Sequence, residues 1–262
     1  MNYRYSNIIL VLFLLTFLST GLADSAVISG RARILGKPPA LPPLPVTKSK
    51  DVCGSTKANE ALLSQRGGIQ NVVVTIYSDD NRLTNRNASP SPVVLLDNRE
   101  CGFSPHVLAV TVGTTIKIVN NDPILHNVHA NFMHIKWSSS SQTRLVNPHA
   151  QAKHGRTVFN LGLPIQGVKV KRVMKRVGLI HVMCDEHKWM SAYIWVMDHP
   201  YFAVTDEGGS FEIANVPPGK YKIRAWHETL GVREIEMEVR EGEKLDINFD
   251  FRVPAKLAKG RP

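Results

Sequence analysis

Residues 184–190 read Cys-Asp-Glu-His-Lys-Trp-Met, which sets a thiol, an imidazole and a thioether at C-x2-H-x2-M spacing. A second imidazole, that of His126, stands 58 residues before Cys184 in the stretch Asp-Pro-Ile-Leu-His-Asn-Val-His, residues 122–129. Two histidines and one cysteine with a weak axial methionine form the ligand set of a blue-copper electron-transfer site. The pattern therefore predicts one mononuclear copper ion bound by His126, Cys184, His187 and Met190.

The positions of these residues along the chain also favour a metal site. Cys184 ends an apolar stretch and Met190 precedes another, so we expect a short turn between two strands. The strands would fix the ends of this turn, and His126 would reach it from a neighbouring strand end. Zinc is the competing metal, but a methionine ligand would be unusual for it, so the ligand set favours copper.

The N-terminus has the features of a secretory signal. Arg4 supplies a charged start, residues 8–18 are almost entirely apolar, and small residues at 21–23 offer a cleavage position. We expect residues 1–23 to be a signal peptide, with an uncleaved N-terminal anchor as the alternative. The predicted location is periplasmic or secreted, and we expect membrane contact only through this segment if it is not cleaved.

The number of cysteines bears on disulfide pairing, and the net charge bears on the class of binding partner. An odd number of cysteines in an exported chain leaves one thiol that needs a reason to stay free, and copper ligation by Cys184 would supply it. We therefore pair Cys53 with Cys101, with two unpaired cysteines as the alternative. The net charge of +10 falls to +9 without Arg4, and a basic surface of this kind can favour an acidic redox partner, an anionic membrane surface or nucleic acid. We expect no nucleic-acid partner, because an exported chain without a recognition motif gives no basis for one.

Short apolar stretches separated by turn residues predict an all-β chain of two sandwiches. The expected order is an N-terminal β extension over residues 24–100, a copper domain over 101–198 and a small antiparallel sandwich over 199–253. A flexible tail would cover 254–262. The basic stretch over residues 169–176 alternates with apolar residues, which fits an amphipathic strand with a solvated face or a docking patch for an acidic partner.

Two families are suggested by these stretches. Residues 125–129 with the Cys-x2-His-x2-Met loop resemble the cupredoxins, with a loop length like that of amicyanin, and the surrounding chain looks like exported proteins labelled methylamine-utilisation or plastocyanin-like. Residues 205–221 resemble the carboxypeptidase regulatory-like β-sandwich. The first resemblance implies a Greek-key sandwich or barrel.

The cupredoxin resemblance also implies roles for single residues. His126, Cys184 and His187 would be the equatorial copper ligands and Met190 the axial one, while Asn127 would tie the two ligand-bearing segments together. His187 would be partly exposed and would serve as the electron exit. The acidic pair at 185–186 and the lysine at 188 depart from the amicyanin-type loop, which has Thr-Pro and Pro there.

The leading functional expectation is a copper protein that carries single electrons, and not an enzyme. The alternatives are a copper-binding or copper-delivery module without electron transfer, and a copper-free sandwich that binds glycan or protein. A multicopper oxidase would need further histidine clusters, which are missing from the sequence.

Overall fold

The computed structural model describes residues 25–80, 82–83, 91–133 and 154–254. The expected signal peptide and nearly all of the expected tail lie outside these residues. No helix in the described part of the chain is long and apolar enough to cross a membrane.

The described residues form β-strands and one short helix, which confirms the all-β prediction. The helix α1 covers Lys50–Cys53. In chain order the strands are β1 (Ala26–Leu35), β2 (Leu44–Pro45), β3 (Thr56–Lys57), β4 (Ser64–Gln65), β5 (Gly68–Ile69), β6 (Val73–Tyr77), β7 (Val94–Arg99), β8 (Gly102–Ser104), β9 (Val107–Thr111), β10 (Thr115–Asn120), β11 (His126–Met133), β12 (His154–Leu163), β13 (Lys169–Val173), β14 (Gly178–Met183), β15 (Ser191–Met197), β16 (Phe202–Val204), β17 (Ser210–Val216), β18 (Gly219–His227), β19 (Gly231–Val239), β20 (Lys244–Asp246) and β21 (Phe249–Arg252).

The central sandwich consists of two sheets, with strand orders β13-β10-β7-β8 and β12-β11-β14-β15-β9. Alternate residues of these strands point inward, so Leu96, Ile118, Val182 and Ile194 meet in one buried apolar core. The pairs β7–β10 and β9–β15 are parallel, whereas the other pairs in these sheets are antiparallel. The chain crosses between the two sheets from β8 to β9, from β9 to β10 and from β10 to β11.

The flanking sandwich is built from both ends of the described chain. One of its sheets has the order β17-β1-β5-β4, with β20 and β21 also paired to β1, and the other has the order β16-β6-β18-β19. Residues 24–100, expected as an N-terminal extension, thus give β1 and β6 to this sandwich and β7 to the central one. The pairs β1–β20 and β1–β21 are parallel, so the small sandwich is not antiparallel throughout.

A close approach of two backbones lies between β20 and β21. The amide of Ile247 donates to the carbonyl oxygen of Ser29 at 2.8 Å, between β20 and β21. A Cβ atom at Gly30 would lie only 1.8 Å from the carbonyl oxygen of Ile247. Glycine at this position therefore allows β1 to lie beside the two strands.

The two sandwiches share a buried aromatic contact. Tyr193 and Trp195 of β15 lie on the outer face of the central sandwich, and each packs against Trp226 of β18, with ring centroids 5.4 and 5.6 Å apart. His106 contacts the buried carboxylate of Glu228 at the same junction. The interface is therefore both apolar and ionic.

Candidate metal centre

Strand pairing brings the predicted ligands to one end of the central sandwich. β11 and β14 are antiparallel neighbours, so the start of β11 at His126 lies beside the end of β14, where Cys184 follows. Met183 pairs with Ser191 at the base of the β14–β15 connection, and the amide of Met190 donates to the His187 carbonyl at 2.9 Å. The six residues after Cys184 therefore form a short closed loop.

The structure brings three of the predicted ligands into one buried cluster. The Nδ1 atoms of His126 and His187 lie 3.0 Å apart, and Cys184 Sγ lies 3.6 Å from His187 Nδ1. These three ligand atoms all lie within 4.8 Å of one another. The exposed fractions of His126, Cys184 and His187 are 0%, 1% and 2%. Met190, at 2%, belongs to the same apolar core as Cys184, so its thioether is also shielded from water.

Asn127 joins the two segments that carry the cluster. Its backbone amide points at Cys184 Sγ at 3.4 Å, and its side-chain oxygen accepts the amide N–H of Asp185. Its side-chain nitrogen donates to the Asp185 carboxylate at 2.8 Å. His129 also lies against that carboxylate, at 3.1 Å, and is not part of the cluster.

Asp122 orients His126 from the side that faces away from the cluster, a role that no sequence motif predicted. The Nε2 atom of His126 lies 2.8 Å from Asp122 Oδ2, and the same carboxylate accepts the amides of Glu100 and Cys101 at 2.7 and 2.8 Å. A proton on Nε2 facing the carboxylate leaves a lone pair on Nδ1, directed into the cluster. Burial lowers the pKa of His126, and Asp122 opposes this effect.

A segment far away in sequence covers His187. We define residues 46–53 as the strap. The Ser49 hydroxyl lies 3.3 Å from His187 Nε2, and Lys48 forms an ion pair with Glu186 at 3.0 Å. The expectation that His187 is partly exposed was therefore wrong. Burial lowers the pKa of His187, and the nearby His126 adds to the effect.

A disulfide holds the strap in place. Cys53, the last residue of α1, is bonded to Cys101, and Cys184 is the free cysteine. The indole of Trp189 donates to the Cys101 carbonyl at 3.0 Å and packs against the apolar cluster formed by Val46 and the two bonded cysteines. Cys101 also lies near Asp122 and His126, but its sulfur is committed to the disulfide and offers no thiolate.

The donor set fits a soft cation. Two imidazole nitrogens lie 3.0 Å apart beside a cysteine sulfur, so a cation bound among them could take all three as ligands. Asp122 contacts His126 through Nε2, whereas Nδ1 is the nitrogen that faces His187. Copper suits this mixture of sulfur and imidazole ligands.

Comparison with known proteins gives a partial family match and distant structural likenesses. Residues 200–250 match the family model described as BOS complex subunit NOMO1-like, second beta sandwich domain. This match agrees with the predicted β-sandwich, but the matching model is not the carboxypeptidase regulatory-like domain expected there. No curated protein sequence matches the chain.

Three solved structures illustrate the structural likenesses. A purple cupredoxin from Nitrosopumilus maritimus is 20% identical, with a TM-score of 0.27, over 40% of this chain and 99% of that one. An amicyanin variant in its reduced Cu(I) form is 18% identical, with a TM-score of 0.26, over 47% of this chain and 98% of that one. The Cu-containing nitrite reductase from Thermus scotoductus SA-01 is 18% identical, with a TM-score of 0.27, over 40% of this chain. This chain spans 22% of the length of that reductase. Likenesses this distant carry no argument about function.

Proposed function

We propose that this chain is an exported mononuclear copper protein that carries single electrons between redox partners. The observation that carries the proposal is the buried cluster of one cysteine sulfur and two histidine Nδ1 atoms within 4.8 Å. His126, Cys184 and His187 would hold the ion, and Met190 would be a weak axial ligand. Copper bound there would supply a one-electron couple.

The protein around the cluster would keep its geometry constant. His126 is fixed by Asp122, the sulfur of Cys184 receives the Asn127 amide, and His187 is held by the Ser49 hydroxyl. Each ligand thus has a partner outside the cluster that limits its movement. A site that changes little between oxidation states needs little reorganisation, which favours fast electron transfer.

Burial favours an electron carrier over a copper-delivery module. A delivery module must pass its ion to another ligand set, which requires that ligand set to reach the copper. Here the strap and the apolar core leave the three donors between 0% and 2% exposed. An electron needs no such opening, because it can tunnel through the protein that covers the ion.

The disulfide supports a location outside reducing compartments. Disulfides form and persist in oxidising environments, and the Cys53–Cys101 bond lies close to the cluster. With the signal-like N-terminus, this bond supports the periplasm or the exterior of the cell as the place of function.

Electrochemistry of the copper-loaded protein tests this proposal. We expect one copper ion per chain and a reversible one-electron wave. His126→Ala should lose both, whereas the matched control His129→Ala should keep both, because His129 lies three residues away and outside the cluster. A chain that binds copper but gives no reversible wave, and yields the ion readily to a chelator, would instead be a delivery module.

A further inference from the structure

The outer face of the sheet β13-β10-β7 combines lysines with exposed aliphatic side chains. Lys117 of β10 pairs with Lys171 of β13 on one side and with Leu95 of β7 on the other, so these side chains lie in one row. Lys169 and Val173 share the same face of β13. Val93, just before β7, adjoins this row. We call these six residues the basic face.

Within the described residues, the lysines of the basic face have no acidic partner. None of the ion pairs found among the described residues involves Lys117, Lys169 or Lys171. Asp97 of β7 and Lys169 of β13 both pair with Val119 of β10, so they lie in one row. Asp97 is buried, however, and both of its carboxylate oxygens accept hydrogen bonds from Asn121. Like charges directly opposite each other in a sheet are unfavourable, so Lys117 and Lys171 would be stabilised by an external anion.

The aliphatic side chains of this face are open to solvent. Val93, Leu95 and Val173 are 60%, 46% and 47% exposed. Single exposed aliphatic residues are ordinary on a protein surface, but here they adjoin lysines in the same sheet rows. The face therefore offers apolar contact and positive charge together.

We propose that the basic face binds an anionic lipid surface. Protein interfaces are depleted in lysine and enriched in aromatic residues and arginine, whereas the basic face consists of lysine, leucine and valine. Lysines beside apolar side chains suit a membrane surface, where the ammonium groups meet lipid phosphates and the aliphatic groups enter the interfacial region. The positive charge and the lysine–aliphatic composition of the face together favour the lipid over a protein partner.

Binding through this face would leave the candidate metal centre unobstructed. The cysteine and histidine donors come from the ends of β11 and β14 in the opposite sheet of the sandwich. The proposal does not depend on copper, and the metal-free chain should bind the same surface.

The test is co-sedimentation of the full, metal-free chain with lipid vesicles. Two vesicle types are compared, one of phosphatidylcholine alone and one containing about a third phosphatidylglycerol. We expect the wild-type chain to bind the anionic vesicles. Each of the substitutions Lys117→Gln and Lys171→Gln should lower the affinity for these vesicles about fivefold. The matched control combines Lys37→Gln with Lys244→Gln, two exposed lysines of the flanking part of the molecule with the same loss of charge.

The control and the lipid comparison make the outcome decisive. Support requires that the control pair binds like the wild type and that Leu95→Asn weakens binding at constant charge. Equal losses in both lysine pairs would show a diffuse effect of net charge and overturn the proposal. Equal binding to both vesicle types would also overturn the proposal, because an apolar N-terminal segment would produce it. The absence of any binding would overturn it too, and is the result expected if the face binds an acidic protein.

Discussion

Residues that contact the candidate ligands hold the cluster in place, and the sequence pointed to one of them but not to the other. The cupredoxin resemblance pointed to Asn127 as a link between the two segments, and its side-chain oxygen accepts the amide N–H of Asp185. Asp122 precedes His126 by four residues in a polar turn, a position that predicts a turn but no particular contact. Only the folded chain shows that its carboxylate accepts hydrogen bonds from two backbone amides and contacts the imidazole of His126.

We predict that Asp122→Asn weakens copper binding about 10- to 100-fold, the usual cost of losing a partner of a metal-bound histidine. An asparagine keeps the shape of the side chain but loses the carboxylate that orients His126. Competition with a chromophoric Cu(I) chelator measures the change. The control is Asp206→Asn, which alters a turn carboxylate of the other sandwich. Unchanged affinity of Asp122→Asn, or an equal loss in the control, would contradict the assigned role.

At the scale of elements, the ligand strands were predictable and the strap was not. Apolar stretches on both sides of the 184–190 loop predict two strands, and the structure has β14 and β15 there. Ser49 instead contacts His187 across 138 residues of sequence. Ser49 occupies the N-cap of α1 without making a side-chain cap, so its hydroxyl is free to face the imidazole. No local pattern signals a contact of this kind.

We predict that removal of the disulfide opens the strap. Cys53→Ala combined with Cys101→Ala should raise amide hydrogen exchange in the strap and in the 184–190 loop of the metal-free chain, and should speed copper removal by a chelator. Loss of this cross-link is also expected to cost about 2 to 5 kcal/mol of stability. Exchange in β19, in the other sandwich, serves as the internal control. If loop exchange and copper removal both stay at wild-type rates, the strap does not limit access.

At the scale of the whole molecule, the sequence predicted the class of structure but not the partners of its strands. Most strand positions follow from alternation, yet β1 pairs with β17, β20 and β21, which lie some 180 residues or more later in the chain. Alternation reports which face of a strand is buried and carries no information about its neighbour. The contact of His106 with Glu228 escaped prediction for the same reason.

The ion pair at the sandwich junction predicts a pH dependence of stability. Burial alone would lower the pKa of His106, but the carboxylates of Glu228 and Glu60 outweigh it and raise the pKa above 6.5. Because folding raises the pKa of His106, its ion pair stabilises the fold fully at pH values below the pKa of this histidine in the unfolded chain. The stabilisation is lost as the pH rises through the pKa of His106 in the folded chain. His227, whose pKa burial lowers to about 4, stays neutral in this window.

Urea unfolding of wild type and His106→Gln, from about pH 6 to about pH 9, checks this dependence. We expect the stability advantage of the wild type to shrink as pH rises. Glu228→Gln should weaken that trend, because it removes the larger of the two carboxylate effects on the pKa of His106 and leaves only that of Glu60. An advantage that grows with pH would show that His106 is neutral in the fold.

The central claim, that the chain forms a copper–thiolate electron-transfer site, is tested most directly by the visible absorption spectrum of the copper-loaded protein. A site with Cys184 as ligand should give an intense blue or green charge-transfer band that ascorbate bleaches and reoxidation restores. Cys184→Ser should lose this band while its far-ultraviolet circular dichroism stays that of the β fold. A colourless protein with one copper ion bound, or a band that survives Cys184→Ser, would contradict the claim.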